Sequence, residues 1–194
     1  MAAVLLIGLP PILDAGVETL ILGSFPSPAS LAARQYYAHR QNQFWRVMTE
    51  LLGEPLADFD YAEKQRSLLR NGIGVWDVYR SCVREGALDS AIRLAEANDF
   101  SDLKLKVPRL RRIYFNGKTS GRFEVGFRER GYDTRVLPST SPAYTLAFEE
   151  KVARWQAALD EMKRDGSFGR IYQRWFSHLP MPEMLLQPPL VANE

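Results

Sequence analysis

Four short runs of the chain are rich in β-branched and aromatic residues, and each is bounded by Gly, Pro, Asn or Asp. Residues recur with helical spacing between these runs, where apolar positions lie three and four apart. The predicted strands cover residues 17–22, 74–78, 112–115 and 134–137. The predicted helices cover residues 44–52, 61–70, 117–130 and 148–162. Strand and helix therefore alternate along most of the chain.

This alternation predicts an α/β fold in which a parallel sheet is covered by helices on both faces, because crossover connections must lie over the sheet. Ligands bind outside the carboxyl ends of the strands in such folds. Each predicted strand runs into a polar or glycine-rich segment, namely residues 23–27 (GSFPS), Asp77, residues 116–117 (NG) and residues 138–142 (PSTSP). We expect these four segments to meet at one edge of the sheet. The alternative is that each is an ordinary strand-to-helix turn.

Composition and charge exclude several classes of protein. The chain has 194 residues, of which 46% are hydrophobic, and a formal net charge of +2, which fits one globular domain. Its single cysteine, Cys82, excludes a disulfide scaffold, a four-cysteine zinc site and a conventional iron–sulfur cluster. No apolar run is long enough to span a membrane. Because no Lys or Arg precedes the apolar stretch 1–13, we expect no signal peptide and a cytoplasmic location.

The most distinctive block is residues 35–45 (QYYAHRQNQFW). It lies between the first predicted strand and the helix predicted at 44–52, and it includes the first two residues of that helix. It gathers aromatic, amide and imidazole groups in one loop, a composition typical of a binding loop. Phe44 and Trp45 at its end are expected to face the core instead.

Five blocks in order resemble the uracil-DNA glycosylase superfamily, and most closely its hypoxanthine-DNA glycosylase branch. They are residues 23–27 (GSFPS), 35–39 with 42–45 (QYYAH and NQFW), 72–78 (GIGVWDV), 115–117 (FNG) and 137–142 (LPSTSP). The resemblance implies a three-layer α/β/α sandwich with a four-stranded parallel sheet. It also implies removal of a damaged base from double- or single-stranded DNA without a metal or a cofactor. The fold derived from the alternation of strands and helices agrees with it.

Two residues of these blocks are expected to contact an extruded base. By its position, Tyr37 resembles the residue that stacks on the base in relatives, although it could also be an anchored core tyrosine. Asn116 carries an amide whose donor and acceptor complement the N–H and carbonyl of hypoxanthine. Uracil and guanine present the same pair of groups, so this interaction alone does not separate them. An asparagine before glycine is also a common turn residue.

The first motif departs from the pattern of many relatives, in which an Asp, Glu or Asn holds the attacking water. Here Phe25 stands at that position, and Ser24 and Phe25 are expected to line the base site. In the hypoxanthine branch the role belongs to an asparagine in the following loop, and the matching residue is Asn42. An amide can orient a water whose attack is easy once the sugar is cationic. The alternative for Asn42 is a helix cap.

The final motif departs as well, because Ser141 precedes Pro142 where many relatives have a histidine. Its hydroxyl can bond the departing base but carries no positive charge, and His39 is a candidate to substitute in part. Asp77 has three open roles: bonding the base, orienting the water, or capping the next segment. Further residues are candidates for contact with the DNA backbone or the vacated base stack: Ser27, Lys118, Ser139, Thr140 and Tyr144.

We therefore expect a monomeric, monofunctional glycosylase domain over residues 1–160, followed by a C-terminal helix and proline-rich tail at 161–194. The absence of a lysine from the first motif and the aromatic loop favours simple hydrolysis over a lyase reaction. Two alternatives stay open. The chain could bind damaged DNA without cleaving it, since two motif residues are missing, or it could hydrolyse free nucleosides.

Overall fold

The computed structural model describes residues 4–164, within which seven β-strands form two sheets. The strands are β1 (Leu5–Ile7), β2 (Thr19–Gly23), β3 (Ile73–Asp77), β4 (Tyr79–Val83), β5 (Arg93–Ala97), β6 (Arg112–Asn116) and β7 (Asp133–Leu137). The larger sheet has the order β3-β2-β6-β7, and all its strands are parallel. Its strands are the four that the hydrophobic pattern predicts, which confirms the parallel sheet.

Seven α-helices lie among or after these strands within the described residues. They are α1 (Pro28–Ala33), α2 (Phe44–Leu52), α3 (Tyr61–Arg70), α4 (Leu103–Lys106), α5 (Lys118–Gly121), α6 (Glu124–Glu129) and α7 (Phe148–Arg164). The bounds of α2 and α3 match the prediction, and α2 ends at Gly53, whose φ of +66° suits glycine. None of the described helices has the length and apolar character that crossing a membrane requires.

The single helix expected over residues 117–130 is wrong, because the chain forms α5 and α6 there with a break between them. Gly121 ends α5 against β7, where an added Cβ would lie 2.8 Å from the Val136 side chain. Glycine also weakens a helix. The break allows Phe127 of α6 to enter the core beneath the sheet.

Helices cover both faces of the parallel sheet and create two hydrophobic clusters. Alternate residues of β2 serve different clusters: Ile21 packs in the first, and Leu20 and Leu22 pack in the second. The first cluster also contains Phe44 of α2 and Trp155 of α7, whereas α4 and α6 supply the second. The molecule is thus a three-layer α/β/α sandwich.

A second, antiparallel sheet of order β1-β4-β5 is absent from the sequence prediction. Only Val78 separates the end of β3 from the start of β4, so the two strands look like one run in the sequence. Strand β5 is exposed at every position and carries no apolar alternation. Only its pairing with β4 holds it as a strand, and pairing is not a local property.

The register of the parallel sheet places the strand ends in a row. Gly23 at the end of β2 is opposite Asp77 at the end of β3, and Asn116 at the end of β6 is opposite Leu137 of β7. Helix α7 continues to Arg164, and the proposed domain division at 160 stays a prediction. The expected tail lies outside the described residues from 165 onwards.

Candidate active site

The carboxyl ends of the parallel strands open onto a cavity of about 230 Å³. Segments that follow β2, β3, β6 and β7 all contribute to its wall, which confirms that the four polar segments meet at one edge. The predicted site residues that line it are Ser24, Phe25, Ser27, Tyr37, Asn42, Asp77, Asn116, Ser139, Thr140, Ser141 and Tyr144.

Two predicted residues lie outside this cavity wall. His39 uses its Nδ1 atom to accept a hydrogen bond from the Gln41 backbone N–H at 3.3 Å, which is a local turn contact. Lys118 is exposed and lines a more open neighbouring groove of about 830 Å³. That groove shares Ser139 and Tyr144 with the cavity, so Lys118 lies beside the site and not within it.

The loop after β2 is held from both ends. Ser27 accepts a hydrogen bond from the Ser30 N–H and caps α1, with Pro28 as the first helical residue. At its other end, the Ser24 hydroxyl donates to Asp89 Oδ1 at 2.8 Å. These contacts fix the loop across the mouth of the cavity.

Phe25 lines the cavity with an apolar ring and offers it no polar side-chain atom. Its side chain is buried, and the Arg84 guanidinium lies 5.2 Å from the centre of its ring. Arg84 also donates to the Pro26 carbonyl oxygen. The guanidinium thus supports this loop from behind.

Tyr37 has an unusual backbone conformation for a residue with a side chain, with φ of +56°. Its ring is stacked on Phe44, with 3.9 Å between ring centres and 20° between planes. The preceding residue is anchored, because the Tyr36 N–H donates to the Tyr61 hydroxyl and the Tyr36 carbonyl accepts from Trp45 Nε1. These anchors hold the strained conformation and present a rigid ring at the cavity wall.

Asn42 lines the cavity and lies two residues before α2, whose N-cap is Gln43. Its Oδ1 atom accepts a hydrogen bond from the Phe44 N–H at 2.9 Å. This bond closes a turn that leads into the helix and is not the N-cap given as the alternative, because Gln43 is the N-cap of α2 and makes no side-chain capping bond. It uses one of the two lone pairs on Oδ1 and neither hydrogen of the amide nitrogen, so the side chain can both hold this turn and bind a water.

Asn116 and the loop after β7 are joined by a reciprocal pair of hydrogen bonds. The Thr140 N–H donates to Asn116 Oδ1 at 2.9 Å, and Asn116 Nδ2 donates to Thr140 Oγ1 at 2.9 Å. The backbone donor fixes which end of the amide is oxygen. One lone pair and one hydrogen of this amide remain beyond these two bonds, and the Tyr37 hydroxyl lies close enough to interact with the amide.

Gly117 permits the close approach of that loop. Its φ is +102°, and an added Cβ would lie 2.9 Å from the Ser139 Cβ. Only glycine combines that conformation with the short distance. In the same loop, Ser139 Oγ accepts from the Ser141 N–H, so the hydroxyl-bearing residues form a compact turn at the rim.

Asp77 is the acidic group of the cavity floor, with 4% of its surface exposed. Its pKa is raised to about 8, mainly by burial and also by the nearby Asp89 carboxylate, while Arg84 partly opposes the rise. Its Oδ2 atom has no hydrogen-bond partner among the residues that the structure describes, whereas the Tyr37 hydroxyl interacts with the Asn116 side chain.

Sequence reasoning missed three residues that shape the site: Arg84, Asp89 and Lys151. Lys151 of α7 has 1% of its surface exposed, and its Nζ donates to Gln43 Oε1 and to the Tyr144 carbonyl, each at 2.7 Å. In the sequence, Lys151 does not differ from a solvated lysine of a charged helix. The other two lie beyond β4, which the sequence pattern did not separate from β3.

Within residues 4–164, no group of three His, Cys, Asp or Glu side chains is arranged to hold a metal ion. The donors of the cavity are hydroxyls, amides and isolated carboxyls, which suit a neutral organic ligand with its own donors and acceptors.

Comparisons with known proteins agree with this site. A sequence model described as the Uracil DNA glycosylase superfamily matches residues 10–164. The hypoxanthine DNA glycosylase of Methanosarcina acetivorans is 45% identical over 150 residues, which cover 77% of this chain and 95% of that protein. The hypoxanthine DNA glycosylase of Methanosarcina barkeri is 41% identical over 151 residues, which cover 78% of this chain and 96% of that protein.

A solved structure is similar as well. It is the solution NMR structure of a Methanosarcina acetivorans protein described as a candidate uracil DNA glycosylase. Its TM-score is 0.73 at 44% identity, and the match covers 79% of this chain and 96% of that chain.

Proposed function

The chain belongs to the uracil-DNA glycosylase superfamily, and on that premise we propose that it hydrolyses the N-glycosidic bond of deaminated bases in DNA, with hypoxanthine as the preferred base. The observation that carries the proposal is the cavity at the strand ends, where Tyr37, Asn42 and Asn116 share one wall. The monomeric state, the cytoplasmic location and the independence from metal stay predictions.

The base must leave the double helix to reach this cavity. Extrusion costs a few kcal/mol, and an aromatic platform recovers about 1–3 kcal/mol by stacking. Tyr37 suits that role because Phe44 supports its ring at 3.9 Å and keeps it from turning. Tyr144 lies at the rim with 39% of its surface exposed and is the candidate to enter the vacated stack.

Asn116 supports recognition of the extruded base. The amide bonds Thr140 on one side, and its remaining lone pair and hydrogen are available to the N–H and carbonyl of hypoxanthine. Because Thr140 fixes the orientation of the amide, the same position would meet adenine with mismatched donors. Ser139 and Ser141 bring further hydroxyls to the rim for contact with the DNA backbone, whereas the predicted backbone contact of Thr140 is wrong, because this residue is fully buried and bonds Asn116.

Asn42 is the candidate for positioning the attacking water. Cleavage develops positive charge on the sugar, so the water needs orientation more than deprotonation. The bond from the Phe44 N–H holds Oδ1 in place, which supports a fixed geometry for that water. Ser141 is the second proposed catalytic residue, since its hydroxyl lies in the cavity and can bond the departing base.

The test uses duplex oligonucleotides that contain one deoxyinosine, deoxyuridine or deoxyxanthosine, followed by alkaline cleavage of abasic sites. We expect breakage at inosine, its loss in Asn42→Ala, and its retention in Gln41→Ala. Gln41 is a matched control because it is an exposed glutamine next to Asn42 that does not line the cavity. A thermal melt of both variants separates loss of the turn bond to the Phe44 N–H from loss of catalysis.

Other outcomes would contradict the proposal. Binding without breakage at any base would identify a damaged-DNA-binding module. Release of hypoxanthine from free deoxyinosine but not from the oligonucleotide would identify a nucleoside hydrolase.

A further inference from the structure

One buried polar atom of the cavity has no hydrogen-bond partner among residues 4–164. It is Asp77 Oδ2, and the Tyr37 hydroxyl near the same carboxyl interacts with the Asn116 side chain. A buried polar atom without a hydrogen bond is costly and rare, so it indicates a place built for a ligand. Both residues line the cavity wall.

The Asp77 carboxyl is held against the backbone of β2. A Cβ added to Gly23 would lie 2.4 Å from Asp77 Oδ1 and 3.3 Å from the Tyr37 hydroxyl. Only a residue without a side chain at position 23 therefore leaves room for the carboxyl and the phenol. With Oδ1 packed against the strand, Oδ2 is the oxygen left without a partner.

Several titratable and charged groups surround this carboxyl. Asp89, beyond β4, and Tyr37 line the same cavity, and Tyr36 and Tyr61 act on it through space. The one cation among the groups that influence Asp77 in the described structure is Arg84. Burial and the Asp89 carboxylate raise the Asp77 pKa to about 8, so the carboxyl keeps its proton at neutral pH.

The Asn116 amide cannot serve on its own as the donor to a departing base, because Thr140 takes part of its hydrogen-bonding capacity. Ser141 can donate a hydrogen bond but is too weak an acid to give up its proton. A protonated carboxyl donates far more strongly to an atom that is gaining negative charge.

We propose that Asp77 is the general acid for the departing base, donating from Oδ2 to a ring nitrogen or carbonyl of the base as the glycosidic bond breaks. This inference rests on the proposed function and adds a catalytic residue to it. Asp77 thereby supplies the stabilisation of the departing base that a histidine before Pro142 would otherwise supply.

The step balances as a hydrolysis. The bond between C1′ of the sugar and N9 of the base breaks, and its electron pair leaves with the base. The base takes the proton of Asp77, and the water oxygen bonds to C1′. That water releases one proton, which returns the carboxyl to its neutral form through solvent. Asn42 orients the water on the other face of the sugar.

The test is the pH dependence of single-turnover excision from a deoxyinosine duplex. For the wild type we expect the rate to fall as the pH rises through about 8. Asp77→Asn keeps an N–H donor that cannot titrate, so it should be slower by roughly 10²-fold, with this fall removed or moved to higher pH. The N1–H of hypoxanthine titrates alike for every variant, so only differences between variants count.

Asp89→Asn provides an independent readout. It removes the negative charge that raises the Asp77 pKa but keeps an oxygen for the Ser24 hydroxyl. We expect its fall in rate to move to lower pH, a shift that a purely structural role of Asp77 would not produce. This second variant keeps the test valid where Asp77→Asn folds poorly.

The failures are distinguishable. If both variants keep the wild-type pH profile, Asp77 is not the acid, and the proposed function stands. If the wild type releases no base at any pH, the proposed function itself is wrong.

Discussion

Asn116 and Thr140 hold each other through two hydrogen bonds of 2.9 Å, one in each direction. The bonds join the end of β6 to the loop after β7, and the Thr140 carbonyl in turn accepts from the Gln43 N–H at 2.9 Å. Three segments of the cavity wall thus depend on one threonine, which has no exposed surface.

The first prediction concerns this threonine. Thr140→Val keeps the shape and the backbone N–H but removes the oxygen that Asn116 Nδ2 bonds. We expect a loss of about 1–3 kcal/mol in the free energy of unfolding and weaker excision, because a buried amide donor loses its partner. Urea denaturation measures the first effect. Thr145→Val, at an exposed position of the same loop, should stay within about 0.5 kcal/mol of the wild type. Equal effects of the two substitutions would contradict the prediction.

The second prediction concerns the close approach at Gly23. Gly23→Ala places a Cβ 2.4 Å from Asp77 Oδ1, so the carboxyl must move. We expect destabilisation of about 1–3 kcal/mol together with loss of excision. Gly126→Ala is the control, because open space surrounds that position and alanine favours a helix by about 0.5–1 kcal/mol. Thermal unfolding compares the two, and a Gly23→Ala protein as stable and active as the wild type would rule out the tight contact.

The third prediction is the effect of pH on stability through Asp77. The folded state keeps this proton up to about pH 8, whereas the unfolded chain releases it near 3.8. The folded state therefore binds more protons within that window, and stability falls as the pH rises through it, by at most ~1.4 kcal/mol per pH unit. Asp77→Asn removes this fall, so its stability advantage should grow from acidic to mildly alkaline pH. Urea denaturation at a series of pH values measures the difference, and parallel curves for the two proteins would refute it.

The fourth prediction concerns Lys151, which joins α7 to two parts of the site. Lys151→Met leaves Gln43 Oε1 and the Tyr144 carbonyl without their donor. We expect a net destabilisation of about 1–3 kcal/mol, since the lost bonds outweigh the relief of a buried cation. We also expect weaker binding of the damaged duplex, because the Tyr144 loop is released. Arg154→Met on the exposed face of the same helix is the control, with an effect under about 1 kcal/mol. Duplex affinity and urea denaturation are the measurements.

The sequence predicted the parallel sheet and the place of the site because both follow from local pattern. Strands of one sheet that run in the same direction end at the same edge, so the polar residues that follow them had to converge. Asp77 and Asn116 were found in this way, whereas Tyr37 and Asn42 were chosen through the resemblance to the glycosylase superfamily.

The remaining features depend on contacts between distant parts of the chain. Nothing near Lys151 in sequence distinguishes it from a solvated lysine, and its burial arises from the packing of α7 against the segment before α2. Asp89 reaches the cavity only because β4 pairs with β1 and β5. His39 shares the composition of the binding loop, but a local turn bond holds it outside the cavity.

Because β4 follows β3 after a single residue, the groups that set the protonation of the cavity lie close together in the sequence. One stretch of thirteen residues, 77–89, carries the two carboxyls that line the cavity, Asp77 and Asp89, and the Arg84 guanidinium that lowers the pKa of Asp77. The acidity of the pocket is thus adjustable within this stretch, while the loops that would grip a nucleic acid strand keep their sequence. Related chains could acquire different pH optima through changes in this one segment.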